Sequence, residues 1–158
     1  MNAVTFQRFE ESHLPELMSW FADESTLRTW GGSEFRFPFT PAMFRDDAKV
    51  RSLPTWSLVD HGVLVGFGQC YLRVGRCHFG RLAISPSRRG GGLGSRLICE
   101  LAHWGRKEFG SEGFSLFVMP ENRDARRLYD RMGFEERPYP EPSAATQDYV
   151  YMVANTLD

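Results

Sequence analysis

Arg88-Arg89-Gly90-Gly91-Gly92-Leu93-Gly94-Ser95 is the stretch on which the reading of this chain turns. Before it, Cys77 to Ser85 reads as a strand. From Gly92 to Phe109 the apolar residues Leu93, Leu97, Leu101 and Trp104 fall on one helical face. Successive backbone N–H groups at a helix start form an anion site, and the helix dipole reinforces it. Glycines let a bulky pyrophosphate come close to the main chain. Arg88 and Arg89 add positive charge, and Ser95 adds a hydroxyl. A flexible turn with incidental glycines is the alternative. Four glycines within five residues, set between a strand and a helix, favour a phosphate site. The two common nucleotide motifs fail, however. A P-loop needs Gly-Lys-Ser/Thr, but Gly94 is followed by Ser95-Arg96. A dinucleotide fingerprint starting at Gly92 meets Leu97 where it needs glycine, and one starting at Gly90 meets Ser95.

Working outward, Phe114 to Met119 reads as a short buried strand. Asn122 to Met132 reads as a helix with Ala125, Leu128, Tyr129 and Met132 on one face, closed by Gly133. Phe134 to Arg137 and Gln147 to Val153 read as two last strands, joined by a loop with Pro138, Pro140 and Pro142. On the N-terminal side, Thr55 to Val59 and Val63 to Leu72 flank Asp60-His61-Gly62, a hairpin signal. Gly66 and Gly68 inside the second strand suggest a bulge. Ala3 to Phe9 reads as a first strand. Ser12 caps a predicted helix from His13 to about Asp23, with Leu14, Leu17, Met18 and Phe21 as its stripe. Trp30 to Phe39 reads as an aromatic loop. Thr40-Pro41 opens a second short helix, to about Val50. Hairpin strands followed by strand–helix–strand units imply an α/β (α+β) fold with a mixed sheet and about four helices.

A chain of 158 residues fits one domain, 1–158, with enough length for a real core. A formal charge of −1 gives no electrostatic reason to expect nucleic acid or an anionic membrane as partner. Met1 to Glu10 has no apolar core of a signal peptide, and no run approaches the length of a spanning helix, so a cytoplasmic protein is expected. Cys70, Cys77 and Cys99 lack the spacing of a zinc site or disulfide framework. They read as small thiols in the interior, and no metal is expected. His13 and His103 read as surface residues of helices, and His61 as a turn residue.

Arg89-x-x-Gly92-x-Gly94 resembles the Gln/Arg-x-x-Gly-x-Gly/Ala motif of the GNAT acetyltransferase superfamily. The stretch Gly80 to Pro86, then Arg88 to Leu97, is similar to that family's fourth strand, pyrophosphate loop and third helix. Asn122-x-x-Ala125-x-x-Leu128-Tyr129-x-x-x-Gly133-Phe134 resembles a second signature of the family, in the right order. Together they span about Cys77 to Phe134, and the first 54 residues match only in element order.

The resemblance implies a mostly antiparallel sheet splayed in its middle, with acetyl-coenzyme A as co-substrate. It implies that the pyrophosphate sits on the amides of Arg89, Gly90, Gly91, Gly92, Leu93, Gly94 and Ser95. It implies that main-chain groups of Leu82, Ala83 and Ile84 hold the pantetheine arm and polarise the thioester carbonyl. Asn122 resembles the family's asparagine beside the pantetheine, and as a residue it is also a good N-cap. Tyr129 stands where many relatives carry the tyrosine that protonates the departing thiolate; as a residue it also reads as core. His78 occupies the position at which histone acetyltransferases carry a basic glutamate. With an ordinary pKa near 6.5 it could take a proton, or it could simply pair across the sheet. Trp30 and Glu34, in the segment that borders the family's acceptor site, could hold an amine, and Glu34 is the reserve base. The implied activity is N-acetylation of a primary amine on a small molecule or peptide by direct attack in a ternary complex. A non-catalytic acyl-coenzyme A sensor of the same fold is the alternative. The sequence names no acceptor and leaves a homodimer open.

Overall fold

The computed structural model describes residues 3–157. Met1, Asn2 and Asp158, at the ends of the expected 1–158 domain, lie outside them. The strands are β1 (Val4–Arg8), β2 (Thr55–Asp60), β3 (Val63–Arg73), β4 (Arg76–Ile84), β5 (Phe114–Val118), β6 (Glu135–Glu136) and β7 (Val150–Ala154). The helices are α1 (Leu14–Ser19), α2 (Glu24–Gly31), α3 (Pro41–Asp47), α4 (Leu93–Phe109) and α5 (Arg123–Arg131). The strands order as β1-β2-β3-β4-β5-β7-β6. The pairings of β1 with β2, β2 with β3, β5 with β7 and β6 with β7 are antiparallel, and that of β4 with β5 is parallel. This is the mixed, mostly antiparallel α/β fold expected, with five α-helices among the described residues rather than four.

The β2–β3 hairpin turns through His61 and Gly62, both at positive φ (49° and 81°), as a two-residue turn between twisted strands requires. Its ladder pairs Leu58 with Gly66 and Val59 with Leu64, so Val65 is an extra residue. This is the bulge that the glycines announce.

Contacts divide the chain into two units. The first holds Met1–Gln69 and Arg81–Leu97. Its core gathers Leu14, Leu17, Phe21, Leu27, Phe35, Phe44, Leu64 and Phe67. Two sequence readings are corrected here. The predicted helix 13–23 is a short 3-10 turn, Glu11–His13, followed by α1, and Glu10 rather than Ser12 stands at its start in a capping box with His13. Asp23 then caps α2, accepting the Thr26 N–H at 2.7 Å, so Trp30 belongs to a helix instead of a loop. The sequence reading missed α2 because its exposed turns carry few apolar residues, Leu27 alone being buried. Thr40 caps α3 as expected, accepting the Met43 N–H. His13 is not on the surface: it is buried, with Nδ1 2.9 Å from Ser57 Oγ.

The second unit holds Cys70–Gly80 and Ile98–Asp158. Phe79, Phe114, Leu116, Leu101, Phe134 and Met152 are buried in it. Phe79 stacks on Phe114 with centroids 5.6 Å apart. Gly105 lets α4 lie close on β4, because a Cβ there would overlap Cys77 Sγ.

We therefore expect Gly105→Ala to lower stability by about 1–3 kcal/mol, the usual cost of overpacking a core. Adding Cys77→Ala should recover part of that loss. Urea melts of the two variants check both halves; an unchanged midpoint for Gly105→Ala would show that the helix shifts freely.

Candidate active site

Within the first unit, β4 leads into the glycine loop through a set of short bonds. Ser85 N–H donates to the Val65 carbonyl at 2.9 Å, and Arg88 N–H to the Ser85 carbonyl at 2.9 Å. Gly90 and Gly92 take φ of 81° and 83°, a region that side chains with a Cβ rarely occupy. Helix α4 then begins. Its first internal bond is the Arg96 N–H to the Gly92 carbonyl, 3.2 Å, which leaves the amides of Leu93, Gly94 and Ser95 at the helix mouth. Ser95 Oγ donates to the Gly92 carbonyl at 3.0 Å. Gly90, Gly91 and Gly92 are exposed. The turn therefore leaves open space, free of side chains at Gly90 to Gly92, in front of the amides at the start of α4, a geometry that suits an anion.

The two arginines of the loop differ. Arg88 Nη1 is 2.7 Å from Asp60 Oδ2. That bond to Arg88 is the largest influence holding the Asp60 carboxyl below its ordinary range. Arg89 is exposed, with Nε 3.4 Å from the Ile84 carbonyl. The sequence could not show the Asp60–Arg88 pair, because 28 residues separate the partners.

Just before Leu82, β4 bends at Arg81, whose φ of 50° is rare for a residue with a side chain. Arg81 Nη1 donates to Gln69 Oε1 at 3.0 Å, and its guanidinium lies 5.7 Å from the Phe35 ring centre. Gln69 is fully buried and itself donates to the Ala48 carbonyl (2.6 Å) and Thr55 Oγ1 (3.1 Å). Neither Arg81 nor Gln69 carried a sequence signal. Leu82, Ala83 and Ile84 follow, half-buried.

Trp30 is set among aromatic rings. It stacks on Phe21 with centroids 4.2 Å apart and lies 6.0 Å from Phe44 and 5.8 Å from Phe67. Its indole N–H is buried and, among the described residues, has no hydrogen-bond partner. Glu34 is exposed. Phe37 and Phe39 pack against the same core.

Within the second unit, the parallel ladder of β4 with β5 covers Cys77 to Phe79 and Phe114 to Leu116. It stops there, although β4 runs on to Ile84 and β5 to Val118. His78 faces Ser115 across this ladder, its Nδ1 2.8 Å from Ser115 Oγ. The ring is 2 % exposed and packs edge-on to Phe117, with centroids 4.9 Å apart. Burial, aided by the Arg73 charge, pushes its pKa down to about 3. The expectation that His78 titrates near neutrality is corrected: the ring is neutral at pH 7 and weakly basic.

Asn122 caps α5, its Oδ1 accepting the Ala125 N–H at 3.4 Å. Tyr129, on the inner face of α5, is 8 % exposed and lies 5.9 Å from the Phe134 ring centre. Burial pushes its pKa up to about 12, so the phenol keeps its proton throughout the neutral range.

The chain matches the acetyltransferase (GNAT) family over residues 14–134, and it belongs to that family. Among individual proteins, the chain is 31 % identical to the [ribosomal protein bS18]-alanine N-acetyltransferase of Haemophilus influenzae over 100 residues, 60 % of this chain and 67 % of that one. The PaiA N-acetyltransferase of Thermoplasma acidophilum, solved with coenzyme A, has the same fold. Its TM-score is 0.72 and its identity 15 %, over 98 % of this chain and 100 % of that chain. The spermidine N-acetyltransferase of Vibrio cholerae, solved with coenzyme A and spermine, superposes at a TM-score of 0.71 and 18 % identity, over 96 % of this chain and 95 % of that one. Among the described residues no helix is long and apolar enough to cross a membrane.

The lowered pKa of His78 has a thermodynamic consequence. Between about pH 6.5 and pH 3 the unfolded chain binds a proton at this position and the folded chain does not. Stability present above pH 6.5 is thus lost as pH falls through that window, by up to about 1.4 kcal/mol per unit. Urea midpoints from pH 7 to pH 4 should show a shallower decline for His78→Gln than for the wild type. Parallel declines would mean that His78 titrates alike in both states.

Proposed function

We propose that this protein is an N-acetyltransferase that moves the acetyl group of acetyl-coenzyme A to a primary amine of a small molecule or peptide, by direct attack in a ternary complex. One observation carries the reading: a strand and a short turn that lead through open glycines, Gly90 and Gly92 at positive φ, into a long helix, in a chain of the GNAT family. Curated and solved relatives named as N-acetyltransferases support the amine as acceptor class.

In this reading the pyrophosphate sits on the amides from Arg89 to Ser95, with Arg89 as its free counter-charge. Asp60 already offsets the charge of Arg88, which makes Arg88 more a strut of the loop than a phosphate ligand. The pantetheine arm pairs with the backbone of Leu82, Ala83 and Ile84, beyond the bend at Arg81. There an amide polarises the thioester carbonyl and steadies the negative charge that develops on its oxygen. The amine nitrogen forms its bond to the acetyl carbon, and the bond to sulfur breaks. Tyr129 donates a hydrogen bond to the departing thiolate. A thiol's pKa near 8.5 lies below that of this phenol, so full proton transfer is uphill and the stabilisation comes mainly from the hydrogen bond. His78, neutral and already bonded to Ser115, packs against Phe117, and the amine proton leaves through Glu34 or through water. Asn122 holds the start of α5, and with it the position of Tyr129.

Replacing Gly92 with Val puts a branched side chain at φ 83° and on the phosphate path. Calorimetric affinity for coenzyme A should fall at least tenfold while the variant stays folded. Unchanged affinity would remove the loop from the binding site.

Tyr129→Phe should lower kcat by roughly ten- to a thousand-fold and leave acetyl-coenzyme A affinity within a few fold, because the thiolate exists only as the reaction proceeds. Steady-state assays of thiol release with an amine acceptor read this directly. A variant running at the wild-type rate makes Tyr129 a packing residue. Thiol release that no amine accelerates, with coenzyme A still bound, would favour the sensor reading.

A further inference from the structure

We infer that the groove between β1, the β2–β3 turn and the start of α1 is a binding site for a small organic cation: a primary ammonium with an oxygen on the neighbouring carbon and an apolar stem. No residue of the glycine loop lines it.

Every wall of this groove belongs to the first unit. Its volume is about 650 Å³, within the range of small-molecule sites. No lysine or arginine lines it, and its ionisable side chains are Glu10, His13, Glu16 and His61. His61 is exposed, with Nδ1 2.7 Å from Asp60 Oδ1. Val59, Val63 and Leu64 supply an apolar side for a stem.

His13 gives the groove a fixed donor. The residue is 6 % exposed. Its Nδ1 accepts the Glu10 N–H at 3.1 Å and lies 2.9 Å from Ser57 Oγ. Phe9 packs edge-on to the ring, with centroids 5.7 Å apart. With Nδ1 an acceptor, Nε2 carries the ring hydrogen. Burial outweighs the pull of Glu10 and lowers the His13 pKa below 6.5, so the ring is neutral at pH 7. Among the described residues Nε2 makes no hydrogen bond: Glu10 Oε2 is 3.7 Å away, beyond reach of one. A nearly buried N–H left in this way costs free energy that a ligand oxygen recovers.

The acids set the charge of the ligand. Glu10 faces the neutral ring, and Ser12 Oγ reaches its Oε2 at 3.5 Å. Glu16 is anchored through Oε2, which accepts Trp20 Nε1 at 2.8 Å and Ser19 Oγ at 3.3 Å, so Oε1 is left for another donor. Two carboxylates with no cationic side chain among the lining residues favour a positive ligand. An ammonium on Glu10 and an oxygen on the His13 N–H must sit side by side. In an α-amino amide or a 1,2-amino alcohol the nitrogen and oxygen are about 3 Å apart by standard bond lengths. That spacing converges on a donor and an acceptor 3.7 Å apart. In a diamine the second ammonium would meet the His13 N–H head-on. A carboxylate would meet Glu10 and Glu16.

Calorimetry on the full chain tests the site, with coenzyme A bound so that no acetyl group can be transferred. Phenylalaninamide and phenylalaninol carry both ammonium and oxygen, 2-phenylethylamine lacks the oxygen, and 3-phenylpropanamide lacks the ammonium. Phenylalaninamide, phenylalaninol or both should bind saturably, and which of them binds assigns the oxygen as carbonyl or hydroxyl. The other two probes should bind roughly tenfold more weakly, the loss that one hydrogen bond to a charged group carries. Glu10→Gln, at an exposed side chain, should weaken the tighter probe about tenfold and leave coenzyme A affinity within twofold, which shows that the variant folds. Glu34→Gln should leave the probe's affinity unchanged. Proton–nitrogen NMR spectra of the histidine rings add a readout that needs no substitution: the His13 Nε2–H signal should move with the tighter probe and stay in place with 2-phenylethylamine. Equal affinity for all four probes, failure of both oxygen-bearing amines to bind, a larger effect of Glu34→Gln than of Glu10→Gln, or an unmoved His13 signal overturns the site. Acetyl transfer takes no part in these measurements, so amine acetylation stands or falls on thiol release alone.

Discussion

The backbone of Arg81 is the constraint on which the proposed chemistry depends. A regular strand would continue the alternation of β4 and direct its main-chain groups along the sheet. At φ 50° the chain leaves that pattern, at a cost of about 1–3 kcal/mol for a residue with a Cβ. The surroundings offset it. Arg81 is tied to Gln69, and Gln69 is tied to Ala48 and Thr55, so a side chain, a helix end and a neighbouring strand fix one residue. Beyond it stand the amides of Leu82 to Ile84, the groups assigned to the thioester.

The same logic applies to the glycine loop. Its glycines supply conformations and open space, and its charges are apportioned by fixed partners. Asp60 engages Arg88, so the loop presents Arg89 and backbone donors rather than two loose cations. In the proposed role the backbone amides are oriented before coenzyme A arrives, which leaves little ordering to be done on binding.

Burial sorts the titratable groups by role. His78 and Tyr129 are both buried and both neutral at pH 7, for opposite reasons of charge type: burial lowers the pKa of a base and raises that of an acid. A neutral imidazole at pKa about 3 is poorly matched to deprotonate an amine. A phenol at about 12 is well matched to donate a hydrogen bond without losing its proton.

Local chemistry made much of this legible in the sequence. The glycine spacing, the Asn122 and Thr40 caps, the His61-Gly62 turn and the bulge beside Gly66 are each decided by one or two residues whose backbone preferences are strong. The family signatures lie in two of those segments, the glycine loop and the start of α5. Helix α2 escaped because a short exposed helix buries only Leu27, too little for a period to show. The expectations for His78, His13 and Trp30 shifted for a different reason. A residue's type gives its ordinary pKa and polarity, but burial and partners come from elements far away in the chain: Ser115 and Arg73 for His78, Ser57 for His13, Phe21, Phe44 and Phe67 for Trp30. The sequence by itself determined the seven strands in chain order, the glycine turn between β4 and α4, and the family. Only the tertiary structure decided which ionisable groups carry charge and that Asp60 meets Arg88, because each depends on which distant side chains share the same few ångströms.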